Sequence, residues 1–73
     1  MTLDRAPLGR RLLLQDASSA AAVRRLTALG LRRGAEVTLL HRTSGGGRVA
    51  VVAGTRIALG PGVLKQVRVE VAP

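Results

Sequence analysis

His41 is the one histidine of the chain, and as a general base it would need an acidic partner to orient its ring. Its neighbours are Leu40 and Arg42, at the expected end of a strand, so the sequence favours a surface imidazole there. Ser18, Ser19 and Ser44 lie beside helix-start and loop signals and read as cap and turn residues rather than nucleophiles. A transition-metal site without thiolates would be built from imidazole and carboxylate ligands. Asp4, Asp16, Glu36, Glu70 and His41 are the available donors, and none of them stand three or four residues apart, the spacing that shares a helix face. Cysteine is absent, which removes thiolate sites. Gly45-Gly46-Gly47 leads into a strand rather than a helix, and no Gly-Lys-Ser/Thr follows it, so it is no phosphate cradle. The expectation is a protein with no catalytic, metal or cofactor site, and not an enzyme.

What remains is charge. Twelve Lys and Arg stand against four Asp and Glu, for a net charge of +8. Such a balance suits an anionic partner, although a coding bias toward Arg would produce the same excess, and charge speaks to association rather than to fold. Arg24, Arg25, Arg32 and Arg33 gather around one helix end. They are the candidate contact surface for an acidic protein face or anionic lipid, with a solvated helix end as the plainer alternative. Nucleic acid is the rival ligand. Single-strand binding normally uses aromatic stacking platforms, and this chain has no Phe, Tyr or Trp. Phosphate attraction alone would be non-specific and salt-sensitive. The same lack argues against proline-rich peptide recognition, whose grooves are aromatic-lined.

The elements that position these residues must be built without rings. Seventy-three residues predict one domain, residues 1–73, with a core of Leu, Val, Ile and Ala. A chain of this size buries only about 60% of its unfolded surface, and homo-oligomerisation would add to that. No apolar run approaches the about 18 residues of a membrane span. With no cysteine staples and no signal-peptide core near the N-terminus, the expected location is the cytoplasm.

A lead-in over residues 3–9, held by its leucines, precedes a first strand over 10–15. Asp16, Ser18 or Ser19 then caps a helix over 20–29, whose alanines favour helix and whose Ala22, Leu26 and Leu29 share one face with Val23 at its edge. Gly30 stands where a left-handed C′ residue is usually glycine, which lets Leu31 pack back on Leu26. Gly34 closes a second turn. Strands follow over 35–42, 48–52 and 55–59, joined by a flexible glycine hairpin loop at 43–47 and a tight turn at Ala53-Gly54. Gly60-Pro61-Gly62 breaks the run, residues 63–66 make one helical turn, and Val67, Val69 and Val71 share a face of the last strand. Five short strands and one helix predict a small closed barrel, mainly β, without exposed edges.

The run Leu26-Thr27-Ala28-Leu29-Gly30-Leu31-Arg32-Arg33-Gly34 resembles the signature of the FeoA family, a Leu-x-x-Leu-Gly-Leu-x-x-Gly core followed by a strand. Leu3 and Gly9 match that family's opening residues, Gly54-Thr55-Arg56-Ile57-Ala58-Leu59 its second recurrent stretch, and Val67-Arg68-Val69 its final strand. After Leu59 the chain departs from the pattern: Gly60-Pro61-Gly62-Val63-Leu64-Lys65 replaces a short polar turn with Glu, and Leu64 stands where Ala is common. The resemblance implies an SH3-like barrel and a non-catalytic accessory of ferrous iron uptake. It implies docking on FeoB, the membrane transporter with a cytosolic GTP-binding domain, and so a place in the cytoplasm at the inner membrane face. Leu26, Leu29, Gly30, Leu31, Gly34, Gly54 and Leu59 are the family-pattern positions, expected to be structural. Two other readings stand beside it. One is a basic barrel that binds nucleic acid. The other is a stand-alone relative of the C-terminal SH3-like domain of DtxR-type metal-dependent repressors, without their helix-turn-helix half.

Overall fold

The computed structural model describes residues 1–73. In chain order the elements are β1 (Arg11–Ala17), α1 (Ala20–Ala28), β2 (Glu36–Arg42), β3 (Arg48–Val52), β4 (Thr55–Leu59), α2 (Pro61–Gln66) and β5 (Val67–Val71). All five strands join one antiparallel sheet in the order β4-β3-β2-β1-β5. Alternation decides which side chains face inward. Leu12 and Leu14, Val37 and Leu39, Ala50 and Val52, and Val67 and Val69 are buried, while their neighbours in sequence are more exposed. Register lines these residues up across the strands: Leu12 pairs with both Val37 and Val71, and Ala50 with both Leu39 and Ile57.

Two irregularities bend the sheet around that core. One adds Gln15 to β1 between Leu14 and Asp16, and the other adds Leu40 to β2 between Leu39 and His41. An unbroken alternation from Leu14 would aim Asp16 inward. The extra residue turns Asp16 out toward Arg68 and turns Ala17 in, opposite buried Val67. The strand therefore runs past the expected residue 15, to Ala17.

Helix α1 begins at Ser19, whose side chain accepts a hydrogen bond from the Ala22 amide at 3.1 Å. It ends in a Schellman motif. The Leu31 amide donates to the Leu26 carbonyl at 2.8 Å and the Gly30 amide to the Thr27 carbonyl at 3.0 Å, with Gly30 at φ 84°. Leu31 reaches 2% exposure against Leu26, whereas Leu29 stays 43% exposed. The expected Ala22–Leu26–Leu29 face is thus wrong at its last member. The helix stops before Leu29, and the reversal delivers Leu31 to the place that helical periodicity assigned to Leu29. Val23, expected at the edge of that face, is 49% exposed.

Three other expectations change. The glycine loop is not merely flexible: Ser44–Gly46 form a 3-10 turn, and the Thr43 amide donates to the Gly47 carbonyl at 3.0 Å. Gly47 has no room for a side chain, since a Cβ would sit 2.8 Å from the Leu59 carbonyl oxygen. The sheet edges are not joined to each other by strand pairing either. On its outer side β5 is bridged by Thr2, and the Val69 amide donates to the Met1 carbonyl at 2.8 Å. The outer edge of β4 carries no strand, and α2 spans from β4 to β5 with Leu64 buried in the core. In the lead-in Leu3 is fully buried but Leu8 is exposed, so one leucine holds it.

Two stability outcomes follow from these conformations. Leu31→Ala is expected to cost about 2–5 kcal/mol by opening a cavity. Leu29→Ala should stay within about 0.5 kcal/mol, as exposed positions do. Denaturant midpoints of the two variants, read side by side, check this order. At the β3–β4 turn, Ala53 and Gly54 both have positive φ, 52° and 78°, the type I′ requirement. Asn tolerates that region better than Ala. Ala53→Asn is expected to stabilise by about 0.5–1 kcal/mol, and an unchanged or lower thermal midpoint would contradict the strain assigned to Ala53.

Candidate functional site

One groove of about 340 Å³ opens on the surface, between the end of β1 and helix α1. Its walls are Leu14 to Ala17 from β1, Val23, Leu26 and Thr27 from α1, and Leu31, Arg32 and Arg33 from the turn beyond. Helical geometry explains the choice of side chains. With Ala22 and Leu26 facing the sheet, a rotation of 3.6 residues per turn puts Val23 and Thr27 on one flank and Arg25 on the other. Arg24 points opposite the buried face. Leu14, Leu26 and Leu31 are buried residues that also line the groove, so its floor is the edge of the core.

The turn at 32–35 locks this geometry. The Ala35 amide donates to the Arg32 carbonyl at 2.9 Å, with Gly34 at φ 86°, as the third position of a type II turn requires. Gly34 donates to the Leu14 carbonyl at 2.8 Å, and Leu14 donates to the Ala35 carbonyl at 3.0 Å. The backbone that carries Arg32 and Arg33 is therefore hydrogen-bonded to the strand across the groove.

The four arginines singled out in the sequence divide here. Arg32 and Arg33 line the groove, while Arg24 and Arg25 do not. Asp16, the one acid of the groove, pairs with Arg68 at 3.3 Å, so the groove keeps a net positive rim. Gln15, Ala17 and Thr27 also line it without having been singled out; Val23, expected only at the edge of the helix face, lines it too. The helical arc beside Leu26 marks Val23 and Thr27 in the sequence. Nothing local marks Gln15, which depends on the bulge.

Elsewhere the charges serve the sheet. Arg11 and Glu36 form an exposed ion pair between β1 and β2, which holds the Glu36 carboxyl below the usual range and raises the Arg11 guanidinium. The nearby Thr2 side chain lowers the Asp4 carboxyl, helped by Arg5 and Lys65. His41 is exposed, with Nδ1 3.2 Å from the Arg42 carbonyl oxygen. Ser19 caps α1, Ser18 donates its amide to the Gln66 carbonyl, and Ser44 opens the 3-10 turn. No three His, Asp or Glu side chains come together as a metal cluster would. Of the family-pattern positions, Leu26, Leu31 and Leu59 are in the core and Gly30, Gly34 and Gly54 take positive φ.

Comparison with known proteins agrees with this architecture. FeoA of Stenotrophomonas maltophilia, complexed with zinc, is 32% identical over 96% of this chain and 89% of that one, with a TM-score of 0.79. It is described as a prokaryotic SH3-domain protein and a candidate ferrous iron transport activating factor. FeoA of Chlorobium tepidum is 24% identical over 100% of this chain and 71% of that one, with a TM-score of 0.86. ScaR with bound Zn2+ shares the fold alone: 22% identity, 99% of this chain, 37% of that one, and a TM-score of 0.88. No curated protein matches the chain in sequence. The five-stranded sheet with its short helices is the SH3-like fold expected from the sequence. The FeoA domain pattern itself covers residues 1–71, and the chain belongs to the FeoA family.

Proposed function

We propose that this protein is a non-catalytic accessory of ferrous iron uptake, which docks on a FeoB-like membrane GTPase transporter at its cytosolic side and modulates it. The FeoA domain match over residues 1–71 carries this reading. The description of the Stenotrophomonas maltophilia protein as a candidate iron-transport activating factor supports it. No helix here is long and apolar enough to cross a membrane, so an association with the transporter would be made by surface contact or through parts of the partner. The groove beside α1 offers such a surface, with an apolar floor and a basic rim. Iron is then the cargo of the transporter rather than a ligand of this chain.

Two measurements test this. The tagged protein should co-purify with a FeoB-like GTPase from its own source, and deleting its gene should lower ferrous iron uptake. Normal uptake in the deletion strain would remove the accessory role. Anaerobic calorimetry of the isolated protein with ferrous iron is expected to show no stoichiometric site, because its acids and histidine are not gathered. Binding with a Kd of about micromolar or tighter would assign iron to this chain instead.

A further inference from the structure

We infer that the groove between β1 and α1 is a docking site for an acidic segment of a partner protein, one that places an apolar side chain next to a carboxylate. The inference deepens the docking role proposed above and rests on it for the partner's identity, though not for the chemistry of the groove.

The floor sets the apolar half. Leu14, Leu26 and Leu31 present the edge of the core, and Val23 adds an apolar wall that solvent reaches at 49% exposure. A volume of about 340 Å³ lies at the small end of the range for ligand sites, enough for one or two side chains rather than a broad face. Water over such a floor is displaced favourably by an aliphatic side chain.

The rim sets the charged half. Arg32 and Arg33 are consecutive, and their backbone is tied to Leu14 through Gly34 and Ala35. Two guanidinium groups offer donor forks that match carboxylate oxygens in a two-bond geometry. Neither arginine has a salt-bridge partner in the chain. Asp16, across the groove, is occupied by Arg68 and leaves the rim positive. An incoming carboxylate would therefore find unpaired donors above an apolar surface. Phosphate backbones fit less well. They would be served equally by Arg24 and Arg25 outside the groove, and they would leave the leucine floor unused.

The test uses the full chain and a synthetic probe, an acetylated and amidated peptide of alternating Leu and Glu, compared with its Leu-Gln counterpart. Amide resonances of Val23, Thr27 and Leu31 to Arg33 should shift with the Leu-Glu peptide and not with the Leu-Gln peptide. Arg32→Glu with Arg33→Glu should weaken binding about tenfold or more, while Arg24→Glu with Arg25→Glu, the same change in net charge, should weaken it by no more than about threefold. Unaltered thermal midpoints in both variants establish that the fold is intact. Equal losses in the two variants would reduce the binding to general charge attraction and overturn the inference. So would shifts confined to other surfaces, or a preference for phosphatidylglycerol vesicles or single-stranded DNA that depends on Arg32 and Arg33. Capture of the FeoB-like transporter separates this inference from the role it deepens. If wild type and both variants capture it equally, the groove is not the docking site and the accessory role stands. If the peptide binds in the groove but wild type captures no transporter, the groove stands and the accessory role falls.

Discussion

Helix α1 ends on a backbone reversal that only a residue tolerant of positive φ can make, and Gly30 makes it at φ 84°. The two hydrogen bonds of that reversal bring Leu31 beneath Leu26. A second glycine turn, at Gly34, then ties the chain to the backbone of Leu14 before β2 begins. Three features depend on this sequence of turns. The core gains a buried leucine from outside any regular element. The strand β2 starts in the register that opposes Val37 to Leu12. Arg32 and Arg33 are held over the gap between helix and strand, where the groove forms.

Without aromatic rings, the interior is filled by many small contributions. Inner-face Leu and Val from the strands meet Leu3, Leu26, Leu31 and Leu64 from the segments that cap them. A bent sheet needs such plugs, because its strands alone leave the open ends of the curve uncovered. Leu64 is fully buried, so the helix that follows β4 acts as a plug of the core. The N-terminal residues serve the edge of β5 in a similar way, since Met1 and Thr2 supply backbone partners that a neighbouring strand would otherwise supply.

Net charge of +8 is a property of the whole chain, yet its chemical meaning is local. Arg11 and Arg68 are matched by Glu36 and Asp16 across neighbouring strands. Arg24 and Arg25 project into solvent, where screening leaves an exposed charge with little specificity. Arg32 and Arg33 differ because they border buried leucines. Opposite charge and apolar contact can be satisfied there by one ligand at one place.

The amino-acid sequence alone located the five strands, α1 and the glycine reversals, but not the start of α2, which lies at Pro61 within the expected break. Period-2 runs located the strands, alanines located α1, and Gly30, Gly34 and Gly54 located the reversals, because each of these signals acts within a few residues along the chain. The family was legible for the same reason, in the spacing of Leu26, Leu29, Gly30, Leu31 and Gly34. Tertiary structure decided which side chains those signals delivered to the core and which to the surface. Leu31 packs back on Leu26 as its turn implied, but Leu29 leaves the expected helix face for solvent, because the helix ends at Ala28 and the chain reverses. Asp16 leaves the groove's rim positive only because an extra residue at Gln15 turns it toward Arg68, a partner more than fifty positions away in the chain. The division of the four arginines was likewise invisible in the sequence. Which of them borders an apolar floor depends on where β1 lies beside α1, and that is set by packing across the sheet rather than by any local preference.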